Sequence, residues 1–486
     1  MATYHVGRRP PGGSDRYRPL PTGTHGLDPD AVKLDQRARL QSAMIELIAQ
    51  KGYQAVRIVD LARLAHVSQP TFYDLYADKE DLFMSAYDEV AAQAARTITQ
   101  SFDARLSYEQ RVRVALRAWA QLASDESEAT SLLVLGAFGA GAKALERRRR
   151  IVERLERAIA VGRADPPSGR AKPDEGDLTV KALIGGIREI TGARLRAGRA
   201  GELPALADQL TAWASCYPQQ LPEGVEAPPA KRPQTPHAAA PSERARRAEG
   251  RLPSGRSDLP RQFIVKSQRE RIVDATAAIV AEKGLAGLKV PDIARRANVS
   301  LQTFYGIYAS KHEAFLGAQK VGMHQALGVA VAAYQAEGDD WPRAVSAGLR
   351  ALIQFLTSEP VHAHLSVVDT FAACPEALEI RNSTLLAFGA YFGPGYELAR
   401  DRVEVPPIAG EAIAGGIWQV LHHYVENDCV AELPLAAPQL IYFALTPFVG
   451  VDAATEVARE TAAELAHDTA AEGAREGAQP AEALSA

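Results

Sequence analysis

An internal repeat constrains the fold of this chain more than any other feature of its sequence. The segment from Arg37 to Phe83 aligns without gaps with the segment from Arg269 to Phe315, at an offset of 232 residues. Identities recur in the same order in both segments, and in the first they include Lys51-Gly52, Asp60, Ala62-Arg63, Val67-Ser68, Thr71-Phe72-Tyr73, Tyr76 and Lys79. So many identities in one register predict two copies of the same folded unit.

The repeat extends well beyond these two segments. Gly185-Gly186-Ile187 pairs with Gly415-Gly416-Ile417, and Leu203-Pro204 pairs with Leu433-Pro434, at an offset that has drifted to 230 residues. The repeated unit is therefore roughly 180 residues long, which is the size of a complete domain. We infer that a whole subunit has been duplicated within one chain.

Both repeats have the apolar periodicity of helices. Apolar residues recur at intervals of three and four, as at Ala43, Leu47 and Ile48, and again at Leu116 and Trp119. No segment shows the convincing apolar–polar alternation of a half-buried strand. The sequence therefore predicts an all-α fold.

Residues 58–79, with the sequence IVDLARLAHVSQPTFYDLYADK, have the pattern of two short helices joined by a tight turn. Ser68 can cap the second helix by accepting from the amide of Thr71, and Pro70 falls in the first turn, where no amide donor is needed. Phe72 and Tyr76 are four residues apart and share the face that packs on the preceding helices. The opposite face then presents Gln69, Pro70, Thr71 and Tyr73.

A short helix that is capped at its start, apolar behind and polar in front is typical of a helix-turn-helix recognition helix. The N-terminal residues of such a helix contact base edges in the major groove. Lys79 opens the following helix, where its ammonium group and the helix amides both favour a phosphate. The second repeat has the same elements in Ser300, Leu301, Gln302, Thr303, Tyr305 and Lys311. A helix pair that merely packs is the alternative, but it would leave the repeated outward Thr-x-Tyr and lysine unexplained.

Two runs, KGYQAVRIVDLARLAHVSQPTFYDLYADKEDLF and KGLAGLKVPDIARRANVSLQTFYGIYASKHEAF, resemble the start of TetR-family transcriptional regulators. The family signature is a Lys-Gly-aromatic turn, an Asp-Ile-Ala helix, Val-Ser, Thr-x-Tyr and a lysine that opens the fourth helix. Both runs match it nearly throughout. The resemblance implies that three helices of each repeat form a DNA-binding head and that the others form a body with a ligand pocket. It also implies that the last two helices pair in a four-helix dimer interface.

The same resemblance implies which residues of each head contact DNA. In the first head Thr71, Tyr73 and Lys79 would hold phosphates, with Gln69 and Pro70 nearest the bases. In the second head Thr303, Tyr305 and Lys311 would hold phosphates, with Leu301 and Gln302 nearest the bases. The predicted phosphate contacts are thus the same in both heads, whereas the base-facing residues differ. The full set of predicted DNA-binding residues is Arg57, Ser68, Gln69, Pro70, Thr71, Tyr73, Lys79, Lys289, Ser300, Leu301, Gln302, Thr303, Tyr305 and Lys311.

The chain departs from the family pattern at the start of the second helix of each head. The family usually has Thr or Ser as the capping residue there, whereas this chain has Arg57 and Lys289. A cation at a helix N-terminus opposes the helix dipole. The hypothesis is that these two cations contact phosphate instead.

The sequence argues against several other kinds of protein. Cys216, Cys374 and Cys429 are far apart and have no CxxC spacing, so neither a disulfide framework nor a structural zinc site is expected. The adjacent pair His422-His423 points to different faces of a helix and is poorly spaced for a metal. The chain has no P-loop, GxSxG or HExxH motif, no apolar run long enough for a bilayer and no signal peptide. We therefore predict a cytoplasmic protein that is not an enzyme, has no cofactor or metal and has no membrane partner.

These patterns predict seven segments along the chain. They are a disordered N-terminal tail (1–32), a first helix-turn-helix domain (33–83), a first helical regulatory body (84–217), a Pro/Arg-rich linker (218–262), a second helix-turn-helix domain (263–315), a second helical regulatory body (316–450) and an acidic Ala/Glu-rich tail (451–486). Seven aromatic residues of the second body would line an effector cavity or, alternatively, form ordinary core: Phe355, Phe371, Phe388, Tyr391, Phe392, Trp418 and Tyr424.

The predicted function is that of a sequence-specific transcriptional regulator, an effector-responsive repressor whose partners are a double-stranded DNA operator and an unknown small-molecule effector. The two halves of the chain would pair with each other as an intramolecular pseudo-dimer on two half-sites. A homodimer of whole chains, with four heads, is the competing arrangement. An architectural DNA-binding protein without an effector is the competing function.

Overall fold

The structure, a computed structural model, describes residues 17, 28–100, 105–164, 177–226, 261–370 and 374–478. Every regular element within these ranges is helical, so the predicted all-α fold is confirmed. Most of the predicted N-terminal tail, most of the Pro/Arg-rich linker and the last eight residues lie outside the described residues, as does Phe371.

The described part of the first repeat contains nine α-helices. They are α1 (Pro29–Ala55), α2 (Ile58–Leu64), α3 (Gln69–Leu75), α4 (Lys79–Gln100), α5 (Tyr108–Asp125), α6 (Ser127–Val134), α7 (Ala142–Ala164), α8 (Thr179–Arg196) and α9 (Leu203–Ala214). The first three form the head, and α2 and α3 have the bounds expected of a helix-turn-helix pair.

The described part of the second repeat contains eleven α-helices and one π-helical turn at Leu365–Asp369. The helices are α10 (Arg261–Lys283), α11 (Val290–Arg296), α12 (Leu301–Ile307), α13 (Lys311–Ala336), α14 (Trp341–Ser358), α15 (Pro360–His364), α16 (Pro375–Ala390), α17 (Gly393–Ala399), α18 (Ala409–Glu426), α19 (Ala437–Val449) and α20 (Val451–Ala478). At the drifted offset of 230 residues, α18 is the equivalent of α8.

The chain divides into two compact units. The first comprises Met1–Gly162 and Arg188–Ala212 and contains the first head. The second comprises Arg163–Ile187 and Trp213–Ala486 and contains the second head. The second unit therefore includes two segments that belong to the first repeat.

The core of the first unit forms where α1, α3 and α4 meet. Leu40 and Met44 of α1, Phe72 of α3, and Phe83 and Tyr87 of α4 are all at most 1% exposed. Burying a side chain of this size stabilises a fold by about 1.5–3 kcal/mol relative to leaving it in water. The head is therefore held together by the same apolar face that the sequence pattern indicates.

Helix α1 begins earlier than predicted. Asp28 accepts a hydrogen bond from the amide of Asp30 at 3.1 Å, and Pro29 stands at the first helical position, where a missing N–H costs nothing. The tail predicted over residues 1–32 is therefore wrong at its end, since residues 29–32 are helical.

The predicted acidic tail over 451–486 is wrong for its first part. Helix α20 packs against α14 and α19, with Ala454 and Ala458 fully buried. The hydroxyl oxygens of Ser346 and Thr461 are 3.1 Å apart. Ala454, Ala458 and Thr461 are spaced by four and three, so a narrow stripe of small residues is hidden within an Ala- and Glu-rich composition.

The predicted linker over 218–262 begins too early. Within the second unit, Val225 is fully buried and Arg459 Nε donates to the carbonyl oxygen of Glu223 at 2.9 Å. Just before them, the ring of Tyr217 stacks on Phe443 with centroids 4.7 Å apart, and its hydroxyl donates to the Phe443 carbonyl at 2.9 Å. Residues up to 226 therefore pack in the second unit.

Glycines allow α8 and α18 to approach closely within the second unit. A Cβ atom added to Gly186 would lie 2.5 Å from the carbonyl oxygen of Ala412, and one added to Gly416 would lie 2.7 Å from that of Ala182. Both distances are far below van der Waals contact, so only glycine fits at this separation. The Gly-Gly-Ile motif of the repeat thus marks the place where equivalent helices of the two repeats meet.

We predict that Gly416→Ala destabilises the protein by roughly 1–3 kcal/mol, because the added methyl group overpacks the contact with Ala182. Gly328→Ala on α13 is the matched control, since an added Cβ there has no atom within 4 Å. Urea unfolding of the full chain, followed by circular dichroism, measures the difference. Equal midpoints for the two variants would contradict this account of the α8–α18 contact.

A contact between a histidine and a carboxylate lies at the π-helical turn. His364 Nδ1 lies 2.8 Å from Asp369 Oδ2. Burial disfavours the imidazolium form, but the hydrogen bond and charge of Asp369 outweigh this effect, so the pKa of His364 is raised above its ordinary value. A raised pKa in the folded state stabilises the fold fully below the unfolded-state pKa of about 6.5. The contribution is lost as the pH rises through the folded-state pKa.

His364→Gln should therefore destabilise the protein more at pH 5.5 than at pH 8.5. Urea midpoints of wild type and variant at the two pH values measure this difference. His312→Gln, at an exposed position on α13, serves as the control. A pH-independent effect of His364→Gln would show that its contact with Asp369 makes no charge-dependent contribution.

Candidate nucleic-acid interface

The second helix of each helix-turn-helix pair begins at a serine. Ser68 Oγ accepts a hydrogen bond from the amide of Thr71 at 3.2 Å, and Ser300 Oγ accepts one from Thr303 at 3.0 Å. Each serine has extended backbone angles, as an N-cap requires. Capping of this kind contributes about 1 kcal/mol and fixes where the helix starts.

Buried aromatic residues decide which face of these helices is turned outward. Phe72 and Phe304 are fully buried. Tyr73 and Tyr305, the next residues, are 57% and 56% exposed. The helices therefore present their tyrosines to solvent, as the sequence pattern predicts.

The turn between the two helices is held by an arginine in each head that sequence analysis missed. His66 and Asn298 each adopt a positive φ of 51°, in the left-handed region. Arg39 donates to the carbonyl oxygens of Ala65 and His66, and its equivalent Arg271 donates to those of Ala297 and Asn298 at 3.0 and 3.1 Å. The sequence does hold a signal for these arginines, because Arg39 and Arg271 occupy the same position in the two repeats.

Lys79 and Lys311 both donate hydrogen bonds to backbone carbonyl oxygens within their own heads. Lys79 Nζ donates to the carbonyl oxygens of Tyr53 and Val56 at 3.1 and 3.0 Å, and Lys311 Nζ donates to that of Leu288 at 3.1 Å. Burial lowers the pKa of Lys79. Each ammonium thus ties the start of the fourth helix to the segment before the helix-turn-helix pair.

A nearby carboxylate offsets the unfavourable interaction between the charge of Arg57 and the dipole of α2. Asp60 lies in the first turn of α2 and accepts from Arg57 Nε and Nη2, both at 3.1 Å. Its carboxylate also accepts from Lys51 and Arg63. These contacts, the one with Arg57 first, hold the pKa of Asp60 well below its ordinary value. Arg57 remains 72% exposed, so its guanidinium stays at the surface of the head.

The two heads differ in the residues they expose at the start of the recognition helix. Gln69 and Pro70 are exposed in the first head, and Leu301 and Gln302 in the second. Leu301 is a large apolar side chain that is 49% exposed. The two heads thus expose different residues at the start of the recognition helix.

Lys311→Met should destabilise the protein by about 1 kcal/mol, because the hydrogen bond from the Lys311 amine to the Leu288 carbonyl is lost. Lys289→Met is the matched control in the same head, since Lys289 is exposed. Thermal unfolding of both variants separates a structural role of Lys311 from a role in DNA contact alone. A melting temperature of Lys311→Met equal to that of Lys289→Met would argue for DNA contact alone.

An apolar cavity of about 100 Å³ lies in the body of the second unit. Helices α13, α14, α16 and α18 supply most of its lining. Five of the seven aromatic residues singled out in the sequence line it: Phe355, Phe388, Tyr391, Phe392 and Trp418. Tyr424 is fully buried core and does not line the cavity.

Other kinds of site are not found in the described part of the chain. Its histidines, cysteines and carboxylates form no cluster that could hold a metal, and no disulfide joins Cys216, Cys374 or Cys429. None of its helices is both long and apolar enough to cross a bilayer.

Comparison with known proteins matches both heads to one family. The N-terminal domain model of the bacterial regulatory proteins of the tetR family matches residues 41–86 and 272–317. No curated protein matches the chain.

Three solved structures are similar to parts of the chain. A TetR-like transcriptional regulator from Rhodococcus sp. RHA1 is 18% identical, with a TM-score of 0.32, over 38% of this chain and 96% of that one. The transcriptional regulator FadR from Bacillus subtilis, in complex with stearoyl-CoA, is 18% identical, with a TM-score of 0.33, over 36% and 96%. The fatty acid degradation regulator FadR from Bacillus halodurans is 16% identical, with a TM-score of 0.33, over 37% and 94%.

Proposed function

We propose, from the premise that this chain belongs to the tetR family of bacterial regulatory proteins and carries two copies of its DNA-binding domain, that it is an effector-responsive repressor. It acts in the cytoplasm as an intramolecular pseudo-dimer and is not an enzyme. The observation that carries the proposal is the pair of capped recognition helices with the same exposed tyrosine and different residues beside it.

In the proposed complex each recognition helix lies in a major groove. Thr71, Tyr73 and Lys79 hold phosphates in one half-site, and Thr303, Tyr305 and Lys311 hold them in the other. The exposed cations Arg57 and Lys289 add phosphate contacts at the start of the second helix of each head. Gln69 with Pro70, and Leu301 with Gln302, lie nearest the bases. Leu301 suits an apolar contact such as a thymine methyl group.

The pairing of the two repeats within one chain is supported by the second unit. There, the equivalent helices α8 and α18 approach at Gly186 and Gly416, and Tyr217 stacks on Phe443. The family's dimer interface uses equivalent helices of two subunits, so the same kind of contact inside one chain favours a pseudo-dimer. Light scattering at low concentration tests this, since a mass twice the 52.2 kDa of one chain would favour a homodimer with four heads.

We predict that the operator has two non-identical half-sites. Selection of bound sequences from random duplex DNA tests DNA binding, half-site spacing and asymmetry together. Tyr73→Ala and Tyr305→Ala, in equivalent positions, should each remove protection of a different half-site in footprinting, with binding weakened about tenfold or more. A perfectly palindromic selected site, or loss of the same half-site in both variants, would contradict the proposed asymmetry.

The aromatic-lined cavity of the second body supports a response to a small molecule. Ligand pockets are typically concave and mostly apolar, with a few polar groups that orient the ligand. An architectural DNA-binding protein without an effector is the alternative. A thermal-shift screen of small apolar molecules on the full chain separates the two, since only a regulator with a working pocket gives a stabilising ligand that also changes operator affinity.

A further inference from the structure

Two buried polar atoms lie close together in the lining of the second body's cavity and form a polar corner. His362 Nδ1 and Ser366 Oγ line the cavity, are at least nine-tenths buried, and have no hydrogen-bond partner among the described residues. Both lie beside Gly322, since a Cβ added there would be 2.7 Å from Ser366 Oγ and 3.7 Å from His362 Nδ1. A buried polar atom without a partner costs about 1–3 kcal/mol, so this corner is suited to a ligand group that bonds both atoms.

The rest of the described lining offers few polar atoms, one of which, the indole Nε1 of Trp418, is also buried without a hydrogen-bond partner. The hydroxyl of Thr384 donates to the Ile380 carbonyl, and that of Tyr334 to the Tyr391 carbonyl. Among the described residues that line the cavity there is no lysine, arginine, aspartate or glutamate. The ligand is therefore mostly apolar, with a polar group at the His362 end.

The other side of the His362 ring faces the second head. His362 Nε2 is 3.5 Å from Oδ1 of Asp274, which lies on α10, the first helix of that head. A carboxylate next to Nε2 favours a proton on that nitrogen, which leaves Nδ1 of the neutral ring as a hydrogen-bond acceptor. Ser366 Oγ can both donate and accept, so the corner matches a hydroxyl group that donates to His362 and accepts from Ser366.

A carboxylate ligand fits this corner poorly. It would be buried on one side of the imidazole while Asp274 stands on the other, and no lysine or arginine of the lining would compensate for the second negative charge. The aromatic lining of the cavity favours a ring compound. Its volume of about 100 Å³ is below that of the cavity of about 150 Å³ known to hold benzene, so a single ring without a long substituent suits it best. These observations select an uncharged hydroxyl as the polar group.

The segment that carries His362 and Ser366 also contacts the head. Val361 of α15 and Leu365 of the π-helical turn pack against the apolar cluster of the second head, which includes Ile272. A π-helical turn is a local departure from α-helix that is frequent at functional sites. The segment thus lies in contact with both the cavity and α10.

We propose that the cavity binds a small, largely aromatic molecule with one uncharged hydroxyl group, and that His362 couples its binding to the second head through Asp274. This inference rests on the proposed function for its effect on operator affinity, but not for binding itself. A hydroxyl that donates to Nδ1 polarises the ring and strengthens the contact of Nε2 with Asp274. The ligand therefore binds better to the head position in which this contact is short, and it shifts the population toward it.

Three probes that share one aromatic ring test the recognition step: phenol, benzoate and benzene. Calorimetry on the full chain should give the phenol an affinity about 3- to 10-fold above that of the hydrocarbon, and the benzoate the weakest binding. A benzoate that binds as well as the phenol, or a hydrocarbon that equals it, would overturn the proposal.

Two variants test the polar corner directly. Gly322→Ala places a methyl group against Ser366 and should reduce phenol affinity to that of the hydrocarbon, whereas Gly328→Ala on the same helix should leave it unchanged. Ser366→Ala provides a second variant with a smaller structural change and should have the same selective effect on the phenol. If both corner variants bind the phenol as wild type does, the corner is not its site.

Asp274→Asn tests the coupling step. The variant should still bind phenol, but phenol should no longer change its operator affinity, as measured by fluorescence anisotropy with the selected duplex. A wild-type response of Asp274→Asn to the phenol would refute the role of Asp274. If wild type binds no DNA at all, the proposed function fails, while the calorimetric comparison of probes still decides the recognition step.

Discussion

Both heads depend on the burial of one phenylalanine in the recognition helix, Phe72 or Phe304. Helix α3 has only seven residues, which is far too short to be stable alone, so packing rather than helix propensity determines its orientation. The following tyrosine meets the phenylalanine edge to face, with centroids 5.4 Å apart in each head. Burial of the phenylalanine therefore determines which residues can face DNA, and the serine cap determines where that set begins.

The sequence was sufficient for those parts of the site that depend on local pattern. The caps at Ser68 and Ser300 and the burial of Phe72 and Tyr76 follow from spacing and residue type within one or two helical turns. The partners of Lys79 could not be predicted in this way, because they are backbone carbonyls brought near by the fold. His362 and Asp274 are likewise far apart in the sequence, and only the packing of α15 on α10 places them together.

Composition misled the boundary predictions for a related reason. The predictions took a wide apolar face as the sign that a segment packs. By that criterion, segments rich in alanine and glutamate, or in proline, look like solvated tails and linkers. Helix α20 instead buries a stripe of small side chains at Ala454 and Ala458, and residues up to 226 are held by a few contacts such as that of Arg459 with Glu223. Small residues permit close approach without adding apolar character, so hydropathy alone does not detect them.

The two bodies have diverged in chemistry although their helices are equivalent. Trp418 lines the cavity of the second body, and the equivalent residue of the first repeat is Arg188. Within the first unit, burial and the nearby charge of Arg148 lower the pKa of Arg188 to about 9, and Arg148 packs over the ring of Phe138 at 4.5 Å. The interiors of the two bodies therefore differ in charge, although their helices are equivalent.

Because the two repeats are covalently linked in one chain, each can change independently of the other. In a homodimer every substitution is repeated in both subunits, whereas a tandem chain can alter one head or one body alone. Under the inferred coupling of the cavity to the second head through Asp274, a ligand there changes one of two linked DNA contacts. Two linked contacts bind far more tightly than either alone, because the second binding event is intramolecular. Under the proposed function, loss of one contact therefore weakens operator binding strongly, so a response of one body suffices.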